Sequence, residues 1–124
     1  MTSTTSLPLA KELWELGLKI ETEKWWVSCD EFNRNWNISN SKVGWKEPIP
    51  APQTDELLAV LPARMAGVGL LKIYKLEDEY DVTYASIYSQ THSILCEALG
   101  LMCKYLLTHE YEFNGKEIMR KGEK

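Results

Sequence analysis

The sequence predicts an α+β domain, a mainly antiparallel β-sheet with helices packed on one face. Three observations carry that prediction. Two consecutive runs, residues 70–76 and 80–88, suit paired strands and flank an acidic link, and the second alternates with period two. An aromatic and β-branched run at residues 23–29 suits a pleated surface. Apolar residues recur at three- and four-residue steps in residues 89–107, the period of a helix.

From the start, Pro8 is followed by Leu9, Leu13, Trp14, Leu16 and Leu18 with Lys11, Glu12 and Glu15 between them. This is one amphipathic helix, with Ser6 as its cap, Pro near its first turn and Gly17 near its stop. A strand over residues 23–29 comes next. Asn33, Asn35, Asn37, Ser39, Asn40, Ser41 and Gly44 then mark turns, between which Trp36, Ile38, Val43 and Trp45 line a loose hairpin. Three prolines, Pro48, Pro50 and Pro52, enforce an extended connector, because each lacks a donor and pushes its predecessor away from helical geometry. Thr54 offers an N-cap oxygen, and Asp55 and Glu56 in the first turn complement the dipole of a short helix whose apolar residues are Leu57, Leu58, Val60 and Leu61. Pro62 ends it.

In the second hairpin strand Tyr80, Val82 and Tyr84 share one face and Asp81 and Thr83 the other, as in a sheet buried on one side. The last helix has a narrow polar stripe of Ser93, Glu97, Gly100, Lys104 and Thr108. Such a helix is either sunk against the sheet or shared with a partner. The tail, residues 114–124, is expected to be solvated and frayed, with the ordered core at about residues 7–110.

The chain has 124 residues, of which 44% are hydrophobic and 26% charged, a balance that fits one domain able to hold its core without disulfides or a structural metal. A formal charge of −4 argues against neutralising phosphates, so nucleic acid is not an expected partner. Residues 1–6 lack the positive start and apolar run of a secretory signal, and no apolar stretch reaches the ~20 residues that span a bilayer. Three cysteines at uneven spacing, Cys29, Cys96 and Cys103, fit a reducing compartment, and a cytoplasmic location is expected.

Each candidate for chemistry has a plainer alternative. His92, Cys96, Cys103 and His109 lie on one helical segment, but a single straight helix cannot close a tetrahedral zinc site, and buried free cysteine packs as a small hydrophobe. A thiolate nucleophile is disfavoured by apolar surroundings at Cys96 and Cys103, and by Asp30 and Glu31 beside Cys29. Glu77, Asp78, Glu79 and Asp81 lack the spacing and turn glycine of a calcium loop and read as a solvated hairpin tip. Gly67 and Gly69 precede a strand, so they make a turn and not a dinucleotide fingerprint. No catalytic, cofactor-binding or metal-binding residue is assigned. Trp25, Trp26, Trp36 and Trp45 are the residues that would line a small-molecule or peptide pocket.

The order of elements, with "LAKELWELGL", "PIPAPQTDELLAVL" and "IYSQTHSILCEALGLMCKYLL", resembles a family of small phage and prophage proteins of unknown function. In that family a proline-alanine-proline motif, here Pro50, Ala51 and Pro52, heads the second helix. The resemblance spans roughly residues 9–107 and implies a phage or prophage origin with no catalytic residue. The expected role is that of a non-enzymatic accessory or interaction protein with a host or phage protein partner. A homodimer through the C-terminal helix or the sheet accompanies it, because an obligate interface resembles a core cut in half.

Overall fold

The computed structural model describes residues 4–20, 22–29, 35–42, 44, 47–65, 69–85 and 88–121. Among them are three helices, α1 (Leu7–Glu15), α2 (Thr54–Val60) and α3 (Leu95–Leu107), and nine short strands in three antiparallel sheets, which makes the fold α+β. No helix among the described residues is long and apolar enough to cross a membrane.

The first sheet has the order β2-β1-β3, with β1 (Trp25–Ser28) between β2 (Trp36–Ser39) and β3 (Ile49–Pro50). The proline-rich connector is extended, as its backbone restrictions require, and its Pro50 lies in an edge strand, where a missing donor is tolerated. The second sheet has the order β4-β5-β6-β7: β4 (Arg64–Met65), β5 (Gly69–Lys75), β6 (Tyr80–Tyr84) and β7 (Tyr88–His92). A hairpin of β8 (Tyr111–Phe113) and β9 (Ile118–Arg120) follows α3.

α3 is the hub, and it packs against α1, α2, β6, β7, β8 and β9. Cys96, Ala98, Leu99, Met102, Cys103 and Leu106 are all fully buried, so the wide apolar circumference is sunk within the chain. Gly100 allows α1 to approach closely: a Cβ there would meet Leu9 Cδ2 at 2.6 Å and Thr5 Cγ2 at 3.3 Å. Opposite α3, Val82 and Tyr84 of β6 are fully buried, and the Tyr84 hydroxyl donates to the Pro62 carbonyl at 2.6 Å. Thr83, on the other face of β6, is buried as well, so that side of the sheet is not solvated throughout.

Several local features differ from the sequence expectation. The run predicted as the start of the last helix, residues 89–92, forms β7, because Ser89, Gln90, Thr91 and His92 pair across to β6 while α3 begins only at Leu95. Gln53 rather than Thr54 is the N-cap of α2, and with Glu56 it makes a reciprocal capping box. Ser6 is the N-cap of α1 but makes no side-chain capping bond. Instead, its amide and hydroxyl both donate to the buried Glu97 carboxylate, tying the N-terminal segment to the first turn of α3. Gly17 ends α1 as expected, at a φ of 96° that suits glycine, while the Leu18 amide reaches back to the Leu13 carbonyl. Within the tail, Ile118 of β9 is fully buried, and β9 pairs with β8. Of the loose hairpin, Trp36 and Ile38 belong to β2, while Val43 and Trp45 lie outside the described residues, as does Gly67 of the glycine turn.

Candidate functional site

The tryptophans named from sequence do not share one surface. Trp25 and Trp26 are neighbours in β1 and therefore point to opposite faces. Trp26 stands across from Ile38, and Trp36 across from Ser28, which puts Trp26 and Trp36 on one face and Trp25 on the other. The Trp26 indole N–H donates to the Thr5 carbonyl at 3.0 Å, a link between the N-terminal segment and β1. The Lys42 ammonium lies 4.3 Å from the Trp25 ring and the Lys11 ammonium 5.2 Å from the Trp36 ring, two cation–π contacts. Trp45 lies outside the described residues.

The histidines and thiols of residues 92–109 are distributed along the fold. His92 ends β7, and its Nδ1 accepts the Ile94 amide at 3.0 Å. Cys96 and Cys103 are in the core, where burial pushes both thiols upward, Cys96 from 9.0 to about 11 and Cys103 further still. His109 lies beyond the C-terminus of α3. Among the described residues no group of three or more histidine, cysteine, aspartate or glutamate side chains is placed to hold a metal ion. The acidic link is a tight, exposed turn closed by the Leu76 amide on the Glu79 carbonyl at 2.8 Å.

Two surfaces stand out. The first is the edge of the second sheet. Of the six large apolar residues left exposed among the described residues, Leu70, Ile73 and Tyr74 lie in β5, and Leu76 directly follows it; the others are Leu58 and Ile94. The cause is geometric: Tyr74 stands across from Asp81, so it and Leu70 lie on the face of the sheet turned away from α3, while Ile73 shares the face of Val82 but sits in β5, one strand out from β6 and β7, against which α3 mainly packs. β4 covers only the first part of β5, pairing Met65 with Gly69 and Arg64 with Leu70. The Leu71 amide donates to the Ala63 carbonyl at 2.8 Å, so the backbone groups of alternate residues, Leu71, Ile73 and Lys75, point toward the β4 side. Past Leu71, no strand among the described residues covers that edge.

The second surface is a cleft of about 480 Å³ between the end of α3, the start of β7 and the terminal hairpin, lined by Tyr88, Tyr105, Thr108, His109, Glu110, Tyr111 and Arg120. Tyr105 and His109 are one helical turn apart, and their rings stack at 4.1 Å, while Tyr88 tilts against Tyr105 at 5.2 Å. Sequence reasoning named the sheet as one of two possible dimer interfaces but singled out neither its β5 edge nor the cleft. The signal for the edge was apolar character at both parities of residues 70–76, which one-face burial does not require. The signal for the cleft was the clustering of Tyr105, His109 and Tyr111 around the helix end, but the hairpin contributing Arg120 was read as a frayed tail.

Comparison with protein-family models, curated proteins and solved structures finds no match.

Proposed function

We propose that this chain is a non-enzymatic accessory protein, of the phage or prophage kind its sequence resembles, that acts by protein–protein pairing through the open edge of β5, first of all with a second copy of itself. The supporting observation is the exposed edge strand, whose outward backbone groups past Leu71 pair with no strand among the described residues and whose apolar side chains stand about half exposed, Ile73 at 38% and Leu70 at 49%. Such an edge is a template for strand addition unless it is blocked.

The second copy fits in charge and in length. β5 carries Lys72 and Lys75, β4 carries Arg64, and the turn after β5 carries Glu77, Asp78 and Glu79. Antiparallel self-pairing about a two-fold axis at Tyr74 places Ile73 opposite the partner's Lys75, the two residues whose backbone groups face outward, so that four N–H···O bonds close across the axis. Lys72 then faces the partner's Leu76, and the acidic turn of each copy meets the basic end of the other. Parallel pairing would bring like charges together. The turn also carries each chain away at Glu77, where the partner's β4 begins to cover its own strand.

A contact confined to one strand lies at the small end of specific interfaces, about 1,200 Å² or less in total, and its expected dissociation constant is ~10–100 μM. Sedimentation velocity over that range should show a monomer–dimer equilibrium. Lys75→Pro removes an outward amide from an edge strand, where proline is tolerated, and should abolish the dimer with little change in melting temperature. A strictly monomeric wild type, or a Lys75→Pro variant that dimerises as well as wild type, contradicts the proposal.

A further inference from the structure

We infer that the cleft between the end of α3 and the terminal hairpin is a binding site for a planar aromatic acid, a ligand carrying one ring and one carboxylate. Its volume of about 480 Å³ lies within the range of small-molecule sites, and its walls combine several rings with a few polar groups, the usual makeup of such sites. The tilted Tyr88–Tyr105 pair and the stacked Tyr105–His109 pair give the cleft three rings in mutual contact, apolar surface against which a further ring can pack.

The polar groups favour an anion over a cation. A cation would be drawn to the negative end of α3, but that end is already occupied. The Thr108 amide bonds to the Lys104 and Tyr105 carbonyls, the Thr108 hydroxyl lies 3.0 and 2.9 Å from the same two oxygens, and His109 Nδ1 lies 2.7 Å from the Tyr105 carbonyl. A carbonyl oxygen only accepts, so the contact with Tyr105 is a hydrogen bond when the hydrogen sits on Nδ1, which also lies 3.0 Å from the Thr108 hydroxyl. On the other wall, Arg120 is 57% exposed and forms an ion pair with Glu110, which also lines the cleft, at 3.7 Å, a separation longer than a hydrogen bond. The guanidinium fork therefore has geometry to offer a carboxylate that Glu110 does not take up. A ring packed against these side chains with its acid on Arg120 uses both walls.

The test is a titration followed by amide and side-chain NMR shifts with four probes: 4-hydroxybenzoate, benzamide, acetate and phenyltrimethylammonium. The expected result is saturable binding of 4-hydroxybenzoate with shifts at Tyr88, Tyr105, Tyr111 and Arg120, with benzamide and acetate each weaker by about tenfold or more. Arg120→Gln should weaken 4-hydroxybenzoate about tenfold and leave benzamide unchanged, and because Arg120 is at the surface the fold should be unaffected. Preference for phenyltrimethylammonium, equal binding of benzamide and 4-hydroxybenzoate, or no saturable binding of 4-hydroxybenzoate at millimolar concentration would overturn the inference.

Discussion

Gly100 shows how one residue sets the distance between two helices. Alanine usually stabilises a helix interior relative to glycine by up to about 1 kcal/mol. Here its methyl group would press on Leu9 and Thr5, both buried, and overpacking a closed core costs about 1–3 kcal/mol. Gly100→Ala should therefore destabilise by about 1 kcal/mol in urea unfolding. Combining it with Leu9→Ala should cost less than the sum of the two single changes, because the new methyl group occupies space that Leu9 gives up. The buried thiols give a second prediction at this scale. Burial raises the Cys96 and Cys103 pKa values above those of the unfolded chain, so the folded state holds these protons more tightly. The stability they contribute is complete below the unfolded thiol value of 9.0 and is lost as pH rises from there through about 11 for Cys96. Unfolding free energy measured by urea should fall across that alkaline window, and Cys96→Ala should lessen the fall. These residues were legible in part: the sequence marked both cysteines as core, but the contact between Gly100 and Leu9 spans most of the chain and leaves no local trace.

At the scale of elements, long periodic segments were readable and short non-local pairings were not. The helix around Leu99 and Leu106 declared itself by its period, and Tyr80, Val82 and Tyr84 by alternation. Residues 89–92 combined Ser, Gln, Thr and His, a polar run whose strand conformation comes from pairing with β6 rather than from its own preference. β9 was hidden for a related reason. Ile118 is one apolar residue in a charged tail, and its burial depends on β8 and α3 holding a place for it. Ile118→Ala should cost about 2–4 kcal/mol in thermal or urea unfolding, as large-to-small changes in closed cores do. A change near zero would mean that the terminal hairpin does not share the core. Strand alternation sends Trp25 and Trp26 to opposite faces, a consequence of their adjacency that the sequence already carried. The rings that do converge are tyrosines and a histidine brought together by three separate elements.

At the scale of the whole molecule, the arrangement is asymmetric. α3 is wrapped on all sides by the rest of the chain, while the sheet it lies on is wider than the helix layer above it. The breadth of apolar surface on α3, which suggested a partner when read alone, is accounted for inside the chain. The uncovered apolar surface has moved to β5, so the homodimer expected through helix or sheet is now argued for the sheet edge alone. Natural edges of this kind are usually blunted by charge or proline. β5 has lysines at two positions, but on an antiparallel two-fold they meet Leu76 and Ile73 instead of each other, and the acidic turn adds attraction at either end.

Backbone pairing at β5 is tested most directly by hydrogen exchange at the Ile73 and Lys75 amides as protein concentration is raised through the expected association range. Exchange at these two positions should slow with concentration, while the exposed amides of Glu77 and Asp78 in the turn remain fast. Rapid exchange at Ile73 and Lys75 that does not depend on concentration would contradict an edge built for a second copy.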